Sequence, residues 1–186
     1  MDDRTIENPV TGERVTYVET SRETDGARSV ADVEVGPGGG VFTHRHADHE
    51  ERIDVLEGEI EVRSGGETRR IAAGGRAVIP RGTTHVWRNP SPDRPLRFRG
   101  TMTPGHPAFE LSLRIVFGLG RDGELRSNGM PRRLRDAVLL ADWDPSLATG
   151  PVRLLVPVLR WAARLPGARR RAAELVRRYG SGVVTT

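Results

Sequence analysis

Two hydrophobic patterns divide the chain. Over the first 103 residues, short runs of alternating apolar and polar positions are broken by turn residues. Arg14–Glu19 and Ala27–Val35 alternate or are rich in β-branched residues, and Pro37-Gly38-Gly39-Gly40 interrupts the chain after them. Val41–His46 predicts a further short strand. Ile53–Arg63 carries apolar pairs on either side of Glu57-Gly58-Glu59, which predicts two strands joined at Gly58. Turns at Ser64-Gly65-Gly66, Ala73-Gly74-Gly75 and Pro80-Arg81-Gly82 separate strands at Thr68–Ala72, Ala77–Ile79 and His85–Asn89, and Leu96–Thr103 alternates once more. Short strands at this turn spacing predict a sandwich or small barrel.

After Pro104 the period becomes helical. Pro107–Leu119, Pro131–Trp143, Pro151–Leu165 and Ala168–Tyr179 are the predicted helices. In the third, Arg153, Arg160 and Arg164 share one face, Pro157 is expected to kink the axis, and Pro166-Gly167 to stop it. The expected organisation is a β-barrel over residues 1–103. A helical extension over 104–186 is expected to pack on the barrel or on a second subunit.

Composition narrows the chemistry. The 186 residues include no Cys, which excludes disulfides, thiolate zinc sites, iron–sulfur clusters and thiol catalysis. Any metal must sit on His, Asp or Glu. All 29 basic residues are Arg, and the net charge is +4. The two parts differ: residues 1–103 hold 15 Arg and 18 acids, net −3, and residues 104–186 hold 14 Arg and 7 acids, net +7. The basic surplus therefore belongs to the helical part. Apolar runs are far shorter than the ~18–20 residues needed to span a bilayer. Met1-Asp2-Asp3-Arg4 lacks an apolar leader region. A cytoplasmic location is expected.

The candidate chemistry lies between Gly40 and Asn89. On a strand, His44 and His46 point to one face, so both imidazoles can reach one ion. Counting by twos from Glu51 reaches Ile53 and Val55, which places this carboxylate on an apolar, inward face. Burial there is costly unless the carboxylate is paired, protonated or metal-bound. His85 shares a face with Trp87. Three inward histidines and a glutamate suit Fe(II), Mn(II), Zn(II), Ni(II) or Co(II). Each residue alone also has a structural reading: an inward His can be a satisfied core residue, and Glu51 can pair with Arg45 or Arg52. Glu50 is an alternative ligand. His49 is expected in a solvated loop and His106 at the surface.

The spacing resembles the cupin family. His44-x-His46, Glu51 after four intervening residues, and Gly58 after six more are similar to its first motif. Five residues separate Gly38 from His44. Gly74, Pro80, Gly82, His85 and Asn89 match its second motif at every position. Asp54 departs, standing where an aromatic residue is common in the family. The resemblance covers residues ~30–103. It implies a mainly β fold, a double-stranded β-helix or jelly-roll barrel with C-terminal α-helices here. It also implies that His44, His46, Glu51 and His85 bind one divalent metal in the barrel mouth.

From these residues we expect a metal-dependent enzyme, foremost a quercetinase-like dioxygenase, acting on a small organic molecule. Glu51 is the candidate base. Phe42, Ile53, Val55, Trp87, Phe98 and Met102 are the candidate pocket lining. A cupin isomerase or cyclase, or a non-enzymatic metal- or small-molecule-binding protein, is the alternative. A homodimer is expected. Nucleic acid or a membrane surface is the less favoured partner for the Arg-rich tail, whose apolar stripe is expected to be buried within the protein.

Overall fold

The computed structural model describes residues 4–144 and 154–180. Ten strands are present among them: β1 (Thr5–Asn8), β2 (Glu13–Glu19), β3 (Ser29–Val35), β4 (His44–Arg45), β5 (Glu50–Glu57), β6 (Glu59–Ser64), β7 (Glu67–Ala72), β8 (Arg76–Ile79), β9 (Thr84–Arg88) and β10 (Leu96–Thr103). They form a six-stranded sheet in the order β1-β2-β3-β10-β5-β8 and a four-stranded sheet in the order β4-β9-β6-β7. All pairings are antiparallel. Strand order that departs this far from chain order, across two facing sheets, is a jelly-roll barrel with helices appended.

The alternation seen in the sequence becomes the inside and outside of this barrel. Along β5, Glu51, Ile53 and Val55 are buried and Glu50, Arg52 and Leu56 are exposed. The core joins Ile53, Val55, Ala77, Ile79, Leu96 and Phe98 of the larger sheet to Ile60, Val62, Ile71 and Trp87 of the smaller one. Gly58 closes the β5–β6 hairpin at φ +79°, and a Cβ there would lie 2.8 Å from the Pro95 carbonyl oxygen. Both conditions select glycine.

Four helices follow: α1 (Pro107–Arg121), α2 (Leu134–Trp143), α3 (Val156–Ala163) and α4 (Pro166–Tyr179). Helix α1 lies on the core-facing side of the larger sheet, at its β1–β2 edge beside the barrel core, where Phe117, Leu113 and Val116 meet Ile6, Val15 and Tyr17. The buried Glu110 carboxylate fastens this contact by accepting from the Ser21 backbone N–H at 2.6 Å and from the Ser29 hydroxyl. A second core unites α1, α2 and α4 through Ile115, Leu119, Leu139 and Leu175. No helix among the described residues is long and apolar enough to cross a membrane.

Several boundaries differ from the sequence-based expectation. Strand β1, unpredicted, pairs with β2 from Thr5↔Thr16 to Asn8↔Glu13. The strand expected over Val41–His46 shrinks to His44–Arg45, because the Phe42 carbonyl is taken by the His44 ring instead of by the ladder. Pro131 pairs with Leu125 in an isolated bridge, so α2 starts at Leu134. Pro157 does not kink α3; it sits in the first turn, where its missing N–H costs nothing. Pro166 starts α4 for the same reason. Residues 151–153 of the predicted third helix, with Arg153, lie outside the described residues, as do residues 1–3.

Candidate metal centre

Four polar side chains converge inside the barrel. His44 stands on β4 directly across from His85 on β9, since the two are register partners. Their ring centroids are 4.1 Å apart. His46 follows β4, and its carbonyl accepts from the Gly82 N–H at 2.7 Å. That bond ties the turn of the second motif to the ligand segment of the first. Gly82 itself sits at φ +75°. Glu51 begins the inward-facing series of β5. His44, His46, Glu51 and His85 are all buried, and one ligand atom from each lies within 4.8 Å of all the others.

Backbone carbonyls orient two of the rings. His44 Nδ1 donates to the Phe42 carbonyl at 2.8 Å, and His85 Nδ1 donates to the Thr83 carbonyl at 3.0 Å. With Nδ1 protonated, His44 Nε2 presents its lone pair to the centre, and His85 Nε2 does so once it gives up the proton that it shares with Glu51. His85 Nε2 meets Glu51 Oε2 at 2.8 Å, and His46 Nε2 lies 3.7 Å from the same oxygen. Both ring nitrogens of His46 are buried with no hydrogen-bond partner. Leaving such nitrogens unsatisfied is expensive. A divalent ion removes that cost, and three imidazoles with one carboxylate are the donor set that borderline divalent metals take. The residues therefore fit a metal.

Asn89, the last residue of the second motif, serves the fold. Its buried amide donates to the carbonyls of Val35, Gly36 and Arg94 at 2.8–3.2 Å and accepts from the Ser91 N–H.

Without an ion, the electrostatics favour neutral imidazoles at His44 and His49 and a charged carboxylate at Glu51, and draw His85 toward its protonated form. Burial holds His44 down at about 4, against a partial upward pull from Glu51. Burial, then His46 and His106, pushes His49 down to about 3. Burial alone would raise Glu51, but the His46 and His85 imidazoles outweigh it and hold the carboxyl below the usual range. For His85, burial pulls downward and the Glu51 hydrogen bond prevails, so its value is raised.

A pH dependence follows for metal-free protein. His44 and His49 favour their neutral forms when folded, so their contribution is complete above the ordinary value of 6.5 and is lost as pH falls toward about 4 and about 3. His85 works in the opposite direction. Thermal melts in chelator should therefore show the melting temperature falling between roughly pH 7 and pH 4. His49→Phe should flatten that fall. A melting temperature constant across the window in both proteins would contradict the depressed values.

The other predicted positions distribute unevenly. Glu50 is exposed, which leaves Glu51 as the inward carboxylate. Asp54 faces away and pairs with Arg52 and Arg76. Ile53, Val55, Trp87 and Phe98 pack into the closed core beneath Glu51. Phe42 is 50% exposed. Met102 is the register partner of Glu51 on β10, half-buried on the same side of the sheet. The expectation of a solvated His49 is corrected: it is 3% exposed, with both ring nitrogens unpartnered. The cause is tertiary. The start of α1 lies over the loop, with the Phe109 ring 5.5 Å from His46 and 5.9 Å from His49. His106 likewise is not a plain surface residue: it caps α1, its Nδ1 accepting from the Phe109 N–H at 3.0 Å. Phe109, invisible as a site residue in the sequence, borders the centre from a helix 60 positions downstream.

The description "Cupin domain" matches residues 31–103. Residues 31–103 belong to the cupin superfamily. A cupin-domain-containing oxidoreductase, srdB, of Neurospora crassa is 35% identical over 66 residues, covering 36% of this chain and 34% of that protein. The match thus spans about a third of the relative's length. Among solved structures, an RmlC-like cupin from Shewanella frigidimarina gives a TM-score of 0.49 at 20% identity, covering 59% of this chain and 92% of that one. KdgF from Halomonas sp. gives 0.45 at 25% identity, with 50% and 79% covered. The cupin region contains all four convergent side chains. The α1 residues that border them lie beyond it.

Proposed function

We propose that this cupin is a metal-dependent oxidoreductase of the dioxygenase type, acting on a small enolic or aromatic molecule. The observation that carries the reading is the buried His46, both of whose ring nitrogens lack partners beside the Glu51–His85 pair. Likeness to a cupin-domain-containing oxidoreductase supports the direction of the chemistry. His44, His46, Glu51 and His85 would hold one divalent ion, which supplies a Lewis acid and one-electron chemistry. Phe109 and Met102 offer apolar surface that excludes water and receives a substrate ring. His49 offers a hydrogen-bonding nitrogen to a substrate oxygen. Glu51, held as the carboxylate, can accept an enolic proton when its oxygen leaves His85 Nε2.

The charged, inward Glu51 also favours a second reading, in which the same centre performs proton transfer without dioxygen, as an isomerase or cyclase would. Metal analysis followed by oxygen-uptake measurements with a flavonol panel separates them. Stoichiometric metal with oxygen consumption is expected. Stoichiometric metal with no uptake on any enolic compound would sink the dioxygenase reading. Solvent-deuterium incorporation into those compounds would then support the isomerase or cyclase reading, and its absence a binding role.

A further inference from the structure

Helix α3 is apolar on two opposite sides. One side faces inward, with Ala163 buried in the helical core. The other carries Val158 and Trp161, flanked by Leu154 before the helix and Leu165 after it, and the four are 59%, 64%, 81% and 45% exposed. The three-residue spacing of Val158 and Trp161 puts them on one side of the helix. Leu155 is also exposed. Contiguous exposed apolar surface of this kind marks an interaction site.

The same segment is rich in cations. Arg160 of α3, Arg164 just after it, and Arg169, Arg170 and Arg177 of α4 are all exposed. Arg171 and Arg178 are taken up by Asp136, Glu174 and Asp122. Among the described residues, none of the other five is in an ion pair. Residues 154–180 contain seven Arg and one acid, Glu174, which Arg171 already holds.

The charge distribution selects the occupant. A two-fold contact with a second copy would bring this cationic segment against itself, with one engaged carboxylate to offset it. A polynucleotide would neutralise the arginines but leave the Leu, Val and Trp side chains in water. An anionic bilayer receives both: side chains enter the boundary between headgroups and acyl chains, and guanidinium groups meet lipid phosphates. Trp161 is the residue type that favours that boundary. We propose that the exposed apolar face of α3, with the exposed arginines of α3 and α4, docks on an anionic phospholipid surface.

The test uses the full chain and vesicles of phosphatidylcholine mixed with phosphatidylglycerol, against pure phosphatidylcholine, at physiological salt. Sedimentation with the mixed vesicles only, and a blue shift of tryptophan emission, are expected. Trp161→Phe should keep sedimentation and lose the shift, which distinguishes this residue from Trp87 and Trp143. Val158→Ser with Trp161→Ser should weaken binding by about tenfold or more. Arg160→Glu with Arg164→Glu should abolish the preference for phosphatidylglycerol. All four side chains are exposed, and an unchanged thermal melt verifies folding. No sedimentation with mixed vesicles, equal sedimentation on neutral ones, or double variants that bind like the parent would overturn the proposal. So would a dimer that ignores vesicles and dissociates on the Val158/Trp161 change, which would assign the face to a second copy.

Discussion

His85→Ala is expected to reduce metal content from stoichiometric to near zero, with oxygen uptake at background. His85 contributes more than one donor. Its Nε2 is the closest partner of Glu51, and its Nδ1 is locked by the Thr83 carbonyl. Its removal leaves a buried carboxylate with His46 at 3.7 Å as the remaining contact. Loss of a partner one step out from a metal already costs about 10–100-fold in affinity, so a ligand loss should reach at least the upper end. Thermal melts read this without activity. At a metal concentration of about 100 times the parent's Kd, binding adds roughly 2.7 kcal/mol, and a variant bound 100-fold more weakly gains only about 0.4. For a chain of this size the metal-induced rise in melting temperature should fall from about 5–10 °C to about 1 °C. Glu50→Gln is the control. Its side chain is exposed at the neighbouring position of β5, and its metal content should equal the parent's. Full occupancy in His85→Ala, or loss in Glu50→Gln, would remove the assigned ligand set.

The convergence of the four side chains was legible because it rests on local periodicity. Two residues apart on one segment, His44 and His46 can only share a side, and Glu51 is tied by period two to Ile53 and Val55. The structure buries those three as one series. Glycine at the β5–β6 hairpin and in the turn before β9 announces its own positive φ. What escaped sequence reading depends on distant chain. His49 looks like a loop residue among Ala47, Asp48 and Glu50, and it is buried because α1 returns across it with Phe109. Glu110 looks like a helix-surface acid and instead receives Ser21 and Ser29 from the sheet. The pocket candidates differ in depth, which inward parity does not reveal: it cannot distinguish Met102, beside Glu51, from Ile53 and Phe98 in the core. Parity also could not show that one apolar face of α3 would remain uncovered.

Arg171 shows the same limit most strongly, and carries the largest expected effect on stability. Within Arg169-Arg170-Arg171, three identical residues look equally solvated, but Arg171 is 7% exposed and grips Asp136, itself 1% exposed, through two bonds of 2.9 Å. Arg171→Met would strand the Asp136 carboxylate in the core between α2 and α4, with Arg135 no nearer than 4.0 Å. A cost of about 3–5 kcal/mol is expected. Asp136→Leu should cost less, because the freed guanidinium keeps Glu174 at 2.7 Å. The double variant should recover most of the loss, since removing both charges leaves neither one stranded. Urea unfolding checks the order: Arg171→Met lowest, then Asp136→Leu, then the double variant near the parent. A double variant no better than Arg171→Met would mean that packing, not charge, sets the cost. Metal affinity should stay within about twofold throughout, because distant sites without shared partners act independently. The start of α1 that borders the His44/His46/Glu51/His85 cluster is fastened to the barrel separately, by Glu110.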